Sequence, residues 1–221
     1  MKTNAELFCE SVKSMKLILV RHGQTISNAE KRYQGRIDAP LSEKGERQIK
    51  AVAEELKSEK IDAIYSSTIG RALKTAKEIA KFHKVLIEEK KELVEVSYGK
   101  FEGKTIAEVK AAFPGEYEKR RQNTYYHRPP GGETLVELEE RVAPLVKKII
   151  SDFSGKTVVV VAHNNVNKII IKHFLGYLPE TVSEYFQPND CIYFIQWKQG
   201  RAVLTHKFPG KKEKNGFVKL E

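Results

Sequence analysis

Apolar residues follow two rhythms along this chain. Leu17-Ile18-Leu19-Val20 and Thr157 to Ala162 are short continuous runs stopped by polar residues. That is the pattern of strands buried on both faces of a parallel sheet. Elsewhere apolar residues recur at three and four, as on one helical face. Ile49, Val52, Ala53 and Leu56 do so behind Ser42, a candidate N-cap. Leu73, Ala76 and Ala80 do so in a helix running to about Phe82, capped by Ser67 or Thr68. Leu138, Val142, Leu145 and Ile149 follow Thr134, with Pro144 expected to kink that helix. Val166, Ile169, Ile170, His173 and Phe174 make a further face. Ile61 to Tyr65 and Val85 to Ile87 read as strands. Cys191 to Trp197 and Ala202 to His206 read as an antiparallel pair around Lys198-Gln199-Gly200. The alternation predicts an α/β fold: a three-layer α/β/α sandwich, its sheet mostly parallel with an antiparallel edge.

The segment 92–132 breaks the rhythm. Gly99, Gly103, a helix near Thr105 to Phe113 and Arg128-Pro129-Pro130-Gly131-Gly132 suggest an insertion at about 95–132 folded over the sheet edge. The expected organisation is one domain over 15–208, an extension at 1–14 outside the core, and a basic, solvated tail at 209–221. A chain of 221 residues, 40% apolar and 31% charged, suits a single soluble domain. The longest apolar runs are too short to cross a bilayer and no signal-peptide pattern opens the chain, so the expected location is cytoplasmic. Cys9 and Cys191 make no disulfide framework. No Cys/His cluster has zinc spacing, so no metal or cofactor is expected.

Lys and Arg number 39 against 29 Asp and Glu, a net charge of +10. That excess admits nucleic acid, an anionic membrane or an anionic small substrate. The lysines are spread along most helices, and no nucleic-acid motif accompanies them. The expected partner is a small phosphorylated metabolite, with neither nucleic acid nor membrane. Antiparallel edge strands in the last third leave room for a homodimer.

Candidate chemistry gathers at strand ends. The first strand stops at Arg21-His22-Gly23, the second at Ser66-Ser67 with Arg71 one turn on, and a later one at Ala162-His163-Asn164. Parallel strands bring these ends to one edge, where open α/β sheets bind ligands. Two Arg and two His at helix N-termini suit a phosphoryl group. Neutral His can attack phosphorus. Gly23 reads as a point of close backbone approach to the ligand.

With these segments on one chain the sequence resembles the histidine phosphatase superfamily, in the phosphoglycerate mutase-like branch. The matching segments are Leu19 to Thr25 with Asn28, Tyr33 to Leu41, Tyr65-Ser66-Ser67 through Arg71 to Ala76, Leu93-Val94-Glu95 with Tyr98-Gly99 and Phe101-Glu102-Gly103, Pro130 to Thr134, and Val160 to His163. The resemblance implies a phosphoglycerate mutase-like fold. It implies a phosphohistidine at His22, with Arg21, Arg71 and His163 holding the phosphoryl oxygens. Glu95 would be the general acid and base, although Glu92 and Glu102 compete for that role. Asn28, Gln34, Gly35, Tyr98 and the amide of Asn164 would bind substrate. Arg120-Arg121 resembles a mutase substrate pair, yet with Glu116, Glu118 and Lys119 beside it a solvated helix face is preferred. Tyr126 and Arg128 resemble the substrate loop of fructose-2,6-bisphosphatase relatives; the alternative is a Pro-Gly turn. Asn164-Asn165 departs from the family's usual Gly-Gly or Gly-Asn. His173 and Cys191 read as packed residues, and His83, His127 and His206 as surface or packing residues. Three functions follow: a metal-independent phosphatase, which the moderate length of the insertion favours; a mutase; or a catalytically silent phospholigand-binding module.

Overall fold

The computed structural model describes residues 14–198 and 201–218. Residues 1–13 of the expected extension and the turn at Gln199-Gly200 lie outside them. The strands are β1 (Lys16–Arg21), β2 (Ala63–Ser67), β3 (Ile87–Lys90), β4 (Thr157–Ala162), β5 (Ile192–Lys198), β6 (Arg201–Lys207) and β7 (Lys214–Asn215). They form one sheet in the order β3-β2-β4-β1-β5-β6-β7. The first four in that order are parallel and the last three run antiparallel. The helices are α1 (Ile26–Ala29), α2 (Glu43–Leu56), α3 (Gly70–Ala80), α4 (Ile106–Ala112), α5 (Pro114–Gln122), α6 (Leu135–Asp152) and α7 (Asn164–Leu175). No helix among the described residues is long and apolar enough to cross a membrane.

Period-two alternation splits the buried strands between two cores. Leu17, Leu19, Val158 and Val160 pack against α6 and α7 through Leu138, Val142, Val166 and Ile169. Ile18, Val20, Val159 and Val161 face the other way, against Val52, Ala53 and Leu56 of α2 and Ala72, Ala76 and Ile79 of α3. The three-layer sandwich follows. Neighbouring strands β1 and β4 therefore send their next helices to opposite faces. Such a reversal opens a crevice at the strands' carboxyl ends. In register, Arg21 stands beside Ala162 and Ser66 beside Val161.

Local signals set the helix starts. Ser42 caps α2 by accepting Gly45 N–H at 3.1 Å. Thr134 and Glu137 make a capping box at α6. For α3 the expectation fails. Neither Ser67 nor Thr68 caps it; the Asp38 carboxylate, from a loop distant in sequence, accepts the Gly70 and Arg71 N–H groups at 3.0 and 3.2 Å. The helix buries Arg71, Ala72, Thr75, Ala76 and Ile79, with Leu73 and Ala80 only half-buried. The third strand falls at Ile87–Lys90 rather than 85–87, where its pairing to β2 begins at Ile64↔Ile87. Helix α6 continues through Pro144 as one element.

The tail is solvated only in part. Lys211 to Asn215 are exposed, but β7 pairs with β6. Beyond it Phe217 stacks on Tyr185 with ring centroids 3.9 Å apart, and Val218 N–H donates to the Tyr193 hydroxyl. Two apolar-stacking residues suffice to draw a basic segment back onto the domain.

Gly23 has a different reason from the one expected. A Cβ there would meet Ile49 Cγ2 at 2.6 Å and the Gly45 carbonyl oxygen at 2.7 Å. A Cβ on Gly45 would likewise collide with the Gln24 carbonyl. The two glycines let α2 press on the segment that carries His22. Gly45→Ala is expected to destabilise the fold by about 1–3 kcal/mol, the usual effect of overpacking, measured by urea unfolding. A loss below about 0.5 kcal/mol, the size of an ordinary surface change, would show that this contact relaxes freely.

Candidate active site

Four segments meet over the carboxyl ends of β1, β2 and β4. Arg21 and His22 leave β1, and the His22 N–H extends the ladder by donating to the Ala162 carbonyl at 3.1 Å. His22 Nδ1 lies 2.8 Å from its neighbour's carbonyl, Gly23 O. Only Nδ1–H can make that bond, so the lone pair is on Nε2. Arg71 Nε–H donates to that Nε2 at 3.2 Å. Arg71 Nη2 is 3.2 Å from His163 Nδ1, whose Nε2 lies 2.9 Å from Ser67 Oγ. The two imidazoles are 5.1 Å apart. The remaining Arg71 donors reach the carbonyls of Ile37 and Gly35 at 2.6 and 2.7 Å.

Arg21 is held from the other side by residues 186–187. Its Nη1 donates to Gln187 O at 2.7 Å, and its guanidinium lies 4.8 Å from the Phe186 ring centroid. Gln187 N–H in turn donates to Asn164 Oδ1 at 3.0 Å, and Asn189 Nδ2 donates to His22 O at 2.8 Å. Glu95 is buried. Its Oε1 accepts Val96 N–H and its Oε2 accepts Asn165 N–H from the first turn of α7. Lys168, one turn further along α7, is also buried, and burial brings its ammonium pKa down to about 8. At this site two buried donors, Arg21 Nε and Gln34 Nε2, have no hydrogen-bond partner among the described residues. Acceptor oxygens of a phosphoryl group would satisfy both.

The expected residues divide cleanly. A cavity of about 340 Å³ is lined by Arg21, His22, Arg71 and Glu95, together with Asn28, Gln34, Gly35, Tyr98 and Asn164. His163 stands directly beneath, fully buried. Glu92 is exposed, and Glu102 is engaged by Arg36 N–H, Tyr98 N–H and Ser97. Of the three competing carboxylates only Glu95 lines the cavity. The Arg pair splits. Arg121 is exposed and paired with Glu118. Arg120, against the solvated-face reading, is buried with its guanidinium 5.0 Å from the Tyr98 ring centroid. Tyr126 is 55% exposed and stacks edge-on with Tyr125, away from the cavity. Arg128 bonds Glu137 and Gly132 O at the start of α6. Tyr126 and Arg128 thus behave as parts of a turn. Residues not foreseen are Phe186, Gln187, Asn189, Asn165 and Lys168. Only the departure at Asn164-Asn165 signalled any of them.

Burial, with the Arg71 and Arg21 guanidinium groups beside it, holds His22 well below its ordinary pKa of 6.5. Burial, with Arg71, His22 and Arg21, does the same to His163. Burial also lowers Arg21 to about 10, which leaves it charged at neutral pH. Among the described residues no cluster of three His, Cys, Asp or Glu side chains could hold a metal ion. The positive charge beside His22 comes from Arg21 and Arg71.

The histidines stay neutral when folded and titrate near their ordinary value when unfolded. As pH falls below about 6.5 the unfolded chain takes up protons that the folded one does not. Stability is then lost by roughly 1.4 kcal/mol per pH unit for each histidine. Denaturant unfolding across pH 7 to 5 should show this loss, and His163→Gln should reduce the slope by one such contribution. An unchanged slope would mean that His163 titrates alike in both states.

Comparison with known proteins identifies the family. The family model for the histidine phosphatase superfamily (branch 1) matches residues 17–208. The chain is 35% identical over 149 residues to phosphoserine phosphatase 1 of Hydrogenobacter thermophilus, covering 67% of this chain and 71% of that protein. It is 36% identical over 160 residues to phosphoglycerate mutase-like protein 4 of Arabidopsis thaliana, covering 71% and 70%. A mycobacterial glucosyl-3-phosphoglycerate phosphatase solved in complex with VO3 superposes with a TM-score of 0.75 at 29% identity, over 81% of this chain and 92% of that one. This chain belongs to the histidine phosphatase superfamily.

Proposed function

We propose that this member of the superfamily is a metal-independent phosphomonoesterase that acts on small phosphorylated metabolites through a phosphohistidine at His22. The observation that carries the reading is the His22 imidazole itself. Its tautomer is fixed by Gly23 O, which leaves the lone pair on Nε2, where it accepts Arg71 Nε–H and lies among two buried guanidiniums.

Nε2 of His22 attacks the phosphorus as the ester P–O bond breaks. The leaving alkoxide takes its proton from the Glu95 carboxyl group. Arg21, Arg71 and His163 offset the charge that builds on the equatorial oxygens. A water then attacks the phosphoryl group, giving its proton to the Glu95 carboxylate. The N–P bond breaks, phosphate leaves, and His22 and Glu95 return to their starting states. The Arg21 Nε and Gln34 Nε2 donors support the same seat for the oxygens.

A mutase would return the phosphoryl group to a bound acceptor, and mutase-like proteins are among the relatives. The buried Arg120 behind Tyr98 is the feature that favours this second reading. Arg121, Tyr126 and Arg128 lie outside the cavity, which weighs toward hydrolysis. A silent binding module is disfavoured, since the nucleophile and acid positions are both occupied by competent groups. The buried free thiol of Cys191 is in keeping with a reducing, cytoplasmic setting.

A panel of phosphorylated metabolites, assayed with EDTA present, tests the reading. His22→Ala should lose turnover and the trapped phosphoryl adduct together. Glu95→Gln should lower kcat by roughly 10²–10⁴-fold while phosphate still binds. Loss of activity in EDTA would overturn the metal-free mechanism. Full activity in His22→Ala would overturn the nucleophile. Interconversion of 2- and 3-phosphoglycerate faster than any hydrolysis would make the protein a mutase.

A further inference from the structure

The cavity above His22 continues sideways. A second hollow of about 390 Å³ shares Arg21, Asn28, Lys31, Arg32 and Phe186 with it and extends to Lys44 and Asp190. The charges around this hollow are unequal in availability. Arg32 is engaged by Glu30, Glu108 and the Gly103 carbonyl. The amines of Lys31 and Lys44 have no hydrogen-bond or ion-pair partner among the described residues. Asp190 is the single carboxylate lining the hollow. On the far side of the site the cations are spent, Arg120 against Tyr98, Arg121 on Glu118 and Arg128 on Glu137.

Lys31 also has an unusual backbone. It follows α1 with φ +56°, the only non-glycine residue with positive φ among those described. A helix end of this kind normally takes Gly, or Asn. The sequence keeps a long cation where the backbone would prefer none, and that cation lines both hollows.

We propose that the Lys31–Lys44 hollow is a second anion subsite. Its ligand is a phosphomonoester that carries a further anionic group on a spacer long enough to reach from the cavity over His22 into this hollow. Arg21 and His22 take the transferred phosphoryl group, and Lys31 and Lys44 take the second charge. This deepens the phosphatase reading and rests on it for the orientation of the ligand. A compound whose second charge sits too close to its phosphate cannot span the two places.

Isothermal titration separates the subsite from the chemistry. The probes are fructose 1,6-bisphosphate, 3-phosphoglycerate and inorganic phosphate. The proteins are the wild type and the Lys31→Gly/Lys44→Ala double variant. Glycine suits the positive φ, so the fold is expected to hold, with an unchanged or higher Tm as the control. The Kd of fructose 1,6-bisphosphate should rise about tenfold in the variant, as loss of two solvent-exposed charge contacts allows. The Kd values of 3-phosphoglycerate and inorganic phosphate should stay within about twofold. Equal weakening of all three probes, or no change for the bisphosphate, would overturn the subsite. If 3-phosphoglycerate weakens as much as the bisphosphate, the spacer requirement falls. Failure of the wild type to hydrolyse any phosphomonoester would sink the phosphatase reading, while these binding constants would still decide the subsite.

Discussion

A buried guanidinium carries five donors and cannot shed its charge at ordinary pH, so the fold around it must supply acceptors. Arg71 imposes that demand here. Its side chain is 1% exposed. Its donors reach Gly35 O, Ile37 O, His22 Nε2 and His163 Nδ1. The loop that offers the two carbonyls also offers Asp38, which caps the helix on which Arg71 stands. Gly35 supplies its carbonyl at φ +54°, and a Cβ there would collide with the Glu102 carboxylate. Glu102 in turn holds the amides of Arg36 and Tyr98. One buried cation therefore couples α3, the 33–38 loop and, through Glu102, the 95–102 segment, and meets both imidazoles.

The same cation sets the chemistry. A nucleophilic imidazole has to be neutral, with its lone pair directed at phosphorus. Burial and two nearby guanidiniums keep His22 neutral, and Gly23 O holds the proton on the other nitrogen. In the proposed mechanism, the charges that favour a bound phosphoryl group also protect His22 from protonation. Glu95 stands apart from the competing carboxylates because its own acceptors are met by amides, Val96 and Asn165, and by no cation at hydrogen-bond distance.

What the sequence disclosed follows from where each residue sits. Arg21, His22, Arg71 and His163 were legible because the parallel strands could be recognised as apolar runs, and their carboxyl ends fall on one edge. The cap of α3 was not legible. Asp38 reaches it through tertiary folding, and local signals at Ser67 and Thr68 lost to that contact. Gly23 was assigned to the ligand when it serves α2, because packing between two glycines leaves no periodic trace. Phe186, Gln187 and Asn189 were invisible for a related reason. They lie in an irregular connection with no periodicity to mark it, where Gln187 acts through its backbone carbonyl and Asn189 through its side-chain amide. The tail was read from its lysines, whereas Phe217 decides where it lies.

The division between cage and rim bears on how one fold serves hydrolysis and transfer. The cage stands on strand ends and is almost wholly buried, so any change in it disturbs Arg71 and both imidazoles together. The rim is carried by connections: residues 30–32, the α4–α5 insertion, and 186–190. Loops tolerate substitution because few buried contacts depend on them. Relatives at roughly one-third identity carry different names, a phosphatase and a mutase-like protein, and a buried cage with a variable rim would accommodate both. In this chain Arg120 is packed behind Tyr98 on one side, and free lysines stand on the other. The transferred group is fixed by the buried architecture. On the proposed reading, the rest of the substrate is chosen by whichever rim charges the surrounding carboxylates leave unspent.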